Sequence, residues 1–500
     1  MSDSTITDRV VAARASPATR AVSPVHVATA VVAATSLAAT SRPVEDIDAT
    51  WHVMLGREIL SRHALHNLGR DWLAVTPPHS WTTSQWLSEV GMADIVDAVG
   101  WRGLVAAKLV LVAATLALTA AGLRGRHPLA AALPFSAVCV SMANVAAPRP
   151  QTVSLVLVGV LALAAVRLLT DGRRPPLPVV ALLAVVWAQV HGLWVLAPAA
   201  FALIAIGHLL DGRRPAARSA AACLLASLAG VLNPLGPASF LLPLRLRDAG
   251  TFIAEWQRTT LGDPYTVAAA AVLVVTVVAW ARRPDAVPRA EVLWVMGWAG
   301  FATLAYRNVV PALLLIVPVA AARIDRAWFA ERPKTAPTRR EAALLAAACA
   351  VTLVVGVVTA AVQTARLDPL GKLPALGIAR TIAESPEPVR VFNAYNTSGS
   401  LIALSDGKAR VMVDGRADLW GVDYLNGILA IGNAHPGWRD RLDALAPDAV
   451  VISEDSALAA AIGTAAWDVV LHDEGYILLL PRGCPRLPCA DHIGRDDSTR

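Results

Sequence analysis

Charge is what this sequence has least of. Asp, Glu, Lys and Arg make up 16% of its 500 residues, where a soluble domain carries about 25%. That deficit excludes an ordinary cytosolic enzyme. Five cysteines are too few for a disulfide scaffold. Lysine is rarer still, at 4 against 40 arginines, and with abundant alanine this points to a GC-rich bacterial genome. What fills the chain instead is apolar. Hydrophobic residues reach 55%, which excludes disordered classes. Several apolar runs approach or exceed the roughly 17–25 residues that a membrane-spanning helix needs. The chain reads as an α-helical polytopic membrane protein.

Eleven stretches read as spans, near 23–41, 101–123, 128–147, 151–170, 177–190, 192–210, 218–235, 266–281, 290–306, 309–322 and 341–364. Residues 177–210 could form one long helix, but Arg173 and Arg174 precede them and Arg213 and Arg214 follow. Short basic loops stay cytoplasmic, so the chain should cross twice and turn near His191-Gly192. Extended to every short loop, the same rule finds nineteen basic residues on one side. The other side has five: Arg149, Arg245, Arg247, Arg258 and Arg307. The expectation is a cytoplasmic N-terminal tail (1–22), a membrane domain (23–365) with a first outer loop at 42–100, and an extracytoplasmic domain (366–500). The first span is long for a signal peptide and lacks a convincing cleavage site, so it reads as a retained helix.

The outer regions are not nucleic-acid surfaces: residues 366–500 carry 18 acids and 13 bases. In this tail, strand-like runs at 389–392, 409–413, 449–452, 467–471 and 476–480 predict a small α/β domain. Residues 425–445 read as mostly helical between the second and third runs, and the last two runs predict a hairpin turning at 473–475. The turn Asp414-Gly415-Arg416 follows a strand, where α/β folds often hold ligands; an internal Arg–Asp pair explains it equally well. Cys484 and Cys489 are spaced for a small disulfide loop on an oxidising side. Cys139, Cys223 and Cys349 lie in spans and read as small apolar core residues.

The chemistry-bearing residues gather at the outer boundary. Asp46 and Asp48 open the first outer loop, followed by Trp51, His52, Gly56 and Arg57, and Trp81, Trp86 and Glu89 come later in it. Two carboxylates two residues apart in an irregular segment can act as a general base, orient an acceptor or hold a divalent metal ion; helix capping is the simpler reading. Tryptophan faces suit sugar rings, although Trp in an outer loop also serves as an interfacial anchor. Arg149, Gln189, His191, Glu255, Arg307 and Asn308 all fall at the same boundary. Arginines there suit a lipid phosphate, which they grip bidentately.

These residues resemble the bacterial polytopic glycosyltransferases of the GT-C class, in a branch related to polyprenyl-phosphate-sugar-dependent transferases. The branch carries D-P-D-T-W-W-H-L, then G-x-x-I-L and W-x-x-x-x-W-L-x-E, in its first outer loop. Here the matches are Asp46, Asp48, Trp51, His52, Gly56, Ile59, Leu60, Trp81, Trp86, Leu87 and Glu89; Ala49 and Thr50 depart from it. The likeness continues at Arg149-Pro150-Gln151, 187–192, 233–236, 254–257 and 307–309, and in the tail at 391–395 and 413–419. The resemblance implies a GT-C-like membrane fold and transfer of a sugar from a polyprenyl-phosphate carrier to a cell-envelope glycan, lipid or protein. It also implies catalysis at the outer face of the bacterial inner membrane, with an acidic residue of the first loop, Asp46 or Asp48, as base. His52, Arg57, Trp86, Glu89, Arg149, Gln189, His191, Glu255, Arg307 and Asn308 are then the substrate-binding candidates. A lipid-linked sugar transporter would need polar groups at both faces, whereas the cytoplasmic halves of the spans read as almost purely apolar. A non-catalytic envelope scaffold would tolerate loss of the acidic pair.

Overall fold

A computed structural model describes residues 22–242, 253–284, 287–330, 338–463, 466–484 and 487. The tail up to residue 21, Arg245, Arg247 and Cys489 lie outside them.

Each of the eleven apolar stretches forms helix. In chain order the helices are α1 (Pro24–Ala39), α2 (Ile47–Arg62), α3 (Trp86–Gly122), α4 (Pro128–Val145), α5 (Pro150–Asp171), α6 (Leu177–Val190), α7 (Leu196–Leu210), α8 (Arg214–Ser227), α9 (Pro264–Arg282), α10 (Arg289–Leu304), α11 (Val309–Trp328) and α12 (Arg339–Arg366). Seven helical stretches among the described residues are long and apolar enough to cross a membrane: α3, α4, α5, 192–210, α9, 306–328 and α12. Local sequence sets the ends. Proline occupies the first turn of α1, α4, α5, α6, α8 and α9, where its missing N–H costs nothing. Gly100, at φ 73° and ψ −179°, breaks α3 into an outer-loop part and a spanning part.

The division of 177–210 follows the charge argument. His191 is extended (φ −170°, ψ 150°) between α6 and α7. His208 near the end of α7 bonds through Nε2 to the carbonyl of Leu168 at 3.0 Å, so α7 ends beside the point from which α6 started. At the core lies α11, whose spanning window is 83% buried, while that of α12 is 11% buried. A helix that is apolar all round belongs inside the bundle. α12 meets the rest chiefly through Gly356 on Ala34 of α1.

One sequence reading is corrected at the opposite end. Arg323, one of the nineteen basic residues counted in short loops, belongs to α11 and pairs closely with Glu291 of α10. The Trp280 indole donates to the same carboxylate at 2.8 Å. The halves of the spans expected to be cytoplasmic are therefore not purely apolar.

The tail forms a five-stranded sheet in the order β2-β1-β3-β5-β4, with β1 (Val389–Asn393), β2 (Ala409–Val411), β3 (Ala449–Ser453), β4 (Trp467–Asp473) and β5 (Tyr476–Pro481). β1 runs parallel to β2 and β3, and β5 is antiparallel to β3 and β4. All five expected strands form. The hairpin turns at Glu474-Gly475, both at positive φ, the signature of a type I′ turn. Residues 425–445 are mostly helical, as expected, in two helices, Val422–Gly432 and Trp438–Leu445. Pro436 and Gly437 (φ 81°) lie between them. Cys484 is disulfide-bonded; its expected partner, Cys489, lies outside the described residues.

The first outer loop and the tail pack as one body. The edge strand β2 gains a short parallel neighbour from that loop. Val411 N donates to the Trp72 carbonyl at 2.8 Å, and Ala74 N to the Val411 carbonyl at 2.9 Å. Arg416 locks the two together. Its guanidinium, fully buried, pairs with Asp414 at 2.6 Å, donates to the Leu68 and Gly69 carbonyls at 2.9 and 3.3 Å, and lies 5.3 Å from the centres of both the Trp72 and Trp81 rings. Trp420 donates to the other Asp414 oxygen at 3.0 Å. The internal Arg–Asp reading of this turn is the one realised.

Candidate active site

The acidic motif is not irregular. Asp46 is the N-cap of α2, accepting the Asp48 backbone N–H at 2.9 Å, and Asp48 lies in the first turn. Both positions suit carboxylates, because capping satisfies an orphan N–H and the helix dipole favours negative charge there. Residues two apart do not share a helix face. The two carboxylates meet nonetheless, through a third residue.

That residue is Arg149. Pro150 follows it and starts α5; a residue before proline is driven to extended backbone, and Arg149 has φ −128° and ψ 162°. Its Nε pairs closely with Asp46 Oδ2. Its Nη1 lies 3.3 Å from Asp48 Oδ2 and 3.2 Å from both oxygens of Glu255. Glu255 also pairs with Arg307 at 3.3 Å, and the Arg307 guanidinium lies 4.4 Å from the centre of the Trp256 ring. Three carboxylates and two guanidiniums from four segments therefore form one network at one end of the bundle. Burial opposes the Glu255 charge, but Arg149 and Arg307 outweigh it and hold the carboxyl below its ordinary value.

The two aspartates differ in freedom. Asp46 is 8% exposed and has both oxygens engaged. Asp48 is 21% exposed; one oxygen accepts the Trp51 indole N–H at 3.0 Å. Burial pushes its carboxyl up to about 6, against the opposing effects of His52 and Trp51, with Glu255 and Asp414 adding to the rise.

Behind Asp48 stands a brace. The Trp51 and His52 ring centres are 3.6 Å apart. His52 Nδ1 lies 3.2 Å from Glu89, whose other oxygen accepts from Thr83 at 2.8 Å, and His52 and Glu89 are both buried. Gly56 permits α2 to cross α3 at this point, since a Cβ there would strike the Glu89 backbone and come within 2.8 Å of Ala93 Cβ. Gly415 closes the other side: a Cβ would strike the Asp48 carboxylate and sit 2.6 Å from the Trp51 nitrogen.

The remaining candidates separate. The Trp86 indole donates to Gln189 at 2.8 Å, and the Gln189 amide donates to the Leu232 carbonyl at 2.7 Å, so this pair ties α3, α6 and the turn after α8 together. His191 accepts the Leu193 N–H on Nδ1 at 3.2 Å, leaving Nε2 without a hydrogen-bond partner among the described residues. Asn308 donates to the Phe301 carbonyl at 3.1 Å and fastens the end of α10. Arg57 pairs with Asp97 at 2.6 Å on a half-exposed surface. It stands eleven residues beyond Asp46, about 16 Å along α2 at the helical rise.

The likeness at 254–257 and 391–395 takes in Trp256 and Tyr395 without making either a site candidate, and Lys108 went unread. Trp256 was visible only as the neighbour of Glu255. Tyr395 required the tail to fold over the first loop. Lys108, buried in α3, donates to the Arg42 carbonyl at 3.2 Å; a single lysine inside an apolar run was the signal for it.

The donor set does not fit a divalent metal ion. Arg149 occupies the point on which Asp46, Asp48 and Glu255 converge, and no group of three His, Cys, Asp or Glu among the described residues could hold a metal. The sugar transfer that the GT-C resemblance implies is accordingly expected to keep its rate in excess EDTA. A loss restored by Mg²⁺ or Mn²⁺ would refute this view of the site.

No protein-family model and no curated protein matches the chain. Among solved structures it is similar to the archaeal oligosaccharyltransferase AglB from Archaeoglobus fulgidus, in complex with an inhibitory peptide and a dolichol-phosphate. That match has 11% identity and a TM-score of 0.52, and covers 86% of this chain and 69% of that one. ArnT from Cupriavidus metallidurans also aligns, over 91% of this chain and 97% of ArnT. Its apo state gives 14% identity and a TM-score of 0.44, and its undecaprenyl-phosphate-bound state 15% and 0.41. At such identities the likeness to AglB concerns fold. The chain has the GT-C fold: a multi-pass helical membrane protein with a small C-terminal sheet domain.

Proposed function

We propose that this chain is a membrane glycosyltransferase with Asp48 as its general base. It moves a sugar from a polyprenyl-phosphate carrier to a cell-envelope acceptor at the outer face of the bacterial cytoplasmic membrane. One observation carries the reading: the first outer loop presents a partly open carboxylate beside a network of arginines, at one end of a GT-C bundle. With Arg323 set aside, the bias in basic loop residues is still eighteen to five and supports an outer location for that end.

In this mechanism the carrier's tail lies between spans. Its phosphate is held by Arg307, with the open Nε2 of His191 as a further contact. Asp48 Oδ2 takes the acceptor hydroxyl proton while the acceptor oxygen attacks the anomeric carbon. The bond from that carbon to the phosphate oxygen breaks, its electron pair leaves with the lipid phosphate, and the configuration inverts. Asp46 and Glu255 hold Arg149 in place, and Arg149 in turn fixes the open carboxylate. A base near 6 is half ionised there, so kcat/KM should rise about tenfold per pH unit below pH 6 and level off above it. A profile flat from pH 4.5 to 7.5 would remove Asp48 from this role.

The test uses purified protein in nanodiscs. A panel of radiolabelled decaprenyl- and undecaprenyl-phosphoryl hexoses and pentoses is offered with a cell-envelope extract as acceptor. Label is expected to move from at least one donor into the extract, with inhibition by undecaprenyl phosphate. Failure with every donor, while undecaprenyl phosphate still binds, would overturn the transferase reading.

A further inference from the structure

The tail touches the acidic cluster from above, and it does so with the ends of its parallel strands. Carboxyl ends of adjacent parallel strands are where α/β folds commonly bind ligands. After β1 the chain turns through Tyr395–Thr397 into the helix Ser398–Leu404. Gly399 of that helix lies against the start of α2, where a Cβ would come 2.8 Å from Ile47 Cα. After β2 the chain reaches Gly415, seated on Asp48 and Trp51. Asn393 sets the spacing of the two turns, donating to the Val413 carbonyl at 3.0 Å and accepting the Met412 N–H at 3.0 Å.

Tyr395 lies in the turn that joins β1 to the helix seated on the start of α2. Its ring packs on the hydrophobic core of the tail. Its hydroxyl makes no hydrogen bond among the described residues, although Asp48, Asp414, Arg149 and Glu255 all lie within electrostatic reach. Burial first, then the carboxylates of Asp48 and Asp414, keep the phenol protonated far above neutral pH, against the opposing charge of Arg149. A protonated phenol with a spare donor, in the turn that meets the acidic cluster, is suited to a ligand oxygen.

We propose that Tyr395 is an acceptor-binding residue that the tail supplies to the site. Its O–H donates a hydrogen bond to the attacking hydroxyl oxygen while Asp48 receives that hydroxyl's proton. One lone pair of the oxygen then faces Tyr395, and the other faces the anomeric carbon. The gain is orientation of the nucleophile, and it makes the tail part of the site that selects the acceptor. This inference rests on the transferase reading above.

The test compares wild type with Tyr395→Phe in nanodiscs, which keeps the ring and removes only the hydroxyl. Acceptor KM, measured with the cell-envelope extract, is expected to rise about tenfold, as loss of one good hydrogen bond implies. Binding of radiolabelled undecaprenyl phosphate and the melting temperature should not move, since neither uses the hydroxyl. An unchanged acceptor KM in an active Tyr395→Phe protein would overturn this inference alone. Equal weakening of acceptor use and undecaprenyl phosphate binding would assign Tyr395 to packing, and also overturn it. No transfer by wild type with any donor would overturn the transferase reading, and this inference with it.

Discussion

Asp48→Asn is expected to lower sugar transfer by 10²–10⁴-fold, the range that a positioned general base contributes, while Asp46→Asn costs less in rate and more in stability. The contrast follows from their surroundings. Asp46 caps α2 and has both oxygens engaged; Asn at 46 still caps the helix but leaves the Arg149 guanidinium without this charged partner, which is the source of the stability loss. Asp48 is more exposed, its Oδ2 lying only at 3.3 Å from Arg149 Nη1, and its carboxyl is pushed up to about 6. The sign of the stability effect follows from that rise. An acid whose folded-state value is raised binds its proton more tightly when folded, so its charge weakens the fold as pH climbs from about 4 to 6 and stays unfavourable above. Neutral Asn at 48 should therefore leave the melting temperature at pH 7 unchanged or higher, while transfer is lost. An Asp48→Asn protein that keeps wild-type transfer would end the assignment. One that merely unfolds would contradict the sign just derived.

Arg416→Met should loosen the outer body by about 3–5 kcal/mol, the usual cost of stripping one partner from a buried ion pair. Asp414 would stay buried against Trp72 and Trp420 without its counter-charge, and the Leu68 and Gly69 carbonyls would lose their donor. Hydrogen exchange would report this as roughly 10²–10⁴-fold faster opening at 65–74 and 409–420, with α11 unaffected. Arg416→Lys should recover little, because an ammonium cannot span Asp414 and two carbonyls as the planar guanidinium does. Burial raises the Asp414 carboxyl and Arg416 more than offsets it. This pair therefore stabilises the body above the ordinary aspartate range and stops doing so as pH falls below about 4. Exchange rates unaltered at both segments would show that the loop and tail do not depend on this clasp.

The sequence by itself determined a good deal. Apolar runs of spanning length, proline at helix starts and arginine-rich loops marked every helix of the bundle, because each of these signals acts within about twenty residues. Alternating strand patterns and Glu474-Gly475 marked the sheet for the same reason. The residues of the acidic network were also legible, since charges are conspicuous in so apolar a chain. Their partnerships were not. Nothing local says that Asp46 and Asp48 meet on Arg149, about a hundred residues away, or that Arg57 turns to Asp97 and Gln189 to Trp86. Nor does the chain announce that Tyr395 and Gly415 come down on the first turn of α2. Those contacts are decided by close approaches between distant backbones, at Gly56, Gly399 and Gly415, and by one buried arginine holding loop to tail. Tertiary packing alone determines which of two neighbouring aspartates is tied down as a helix cap and which is left the more exposed.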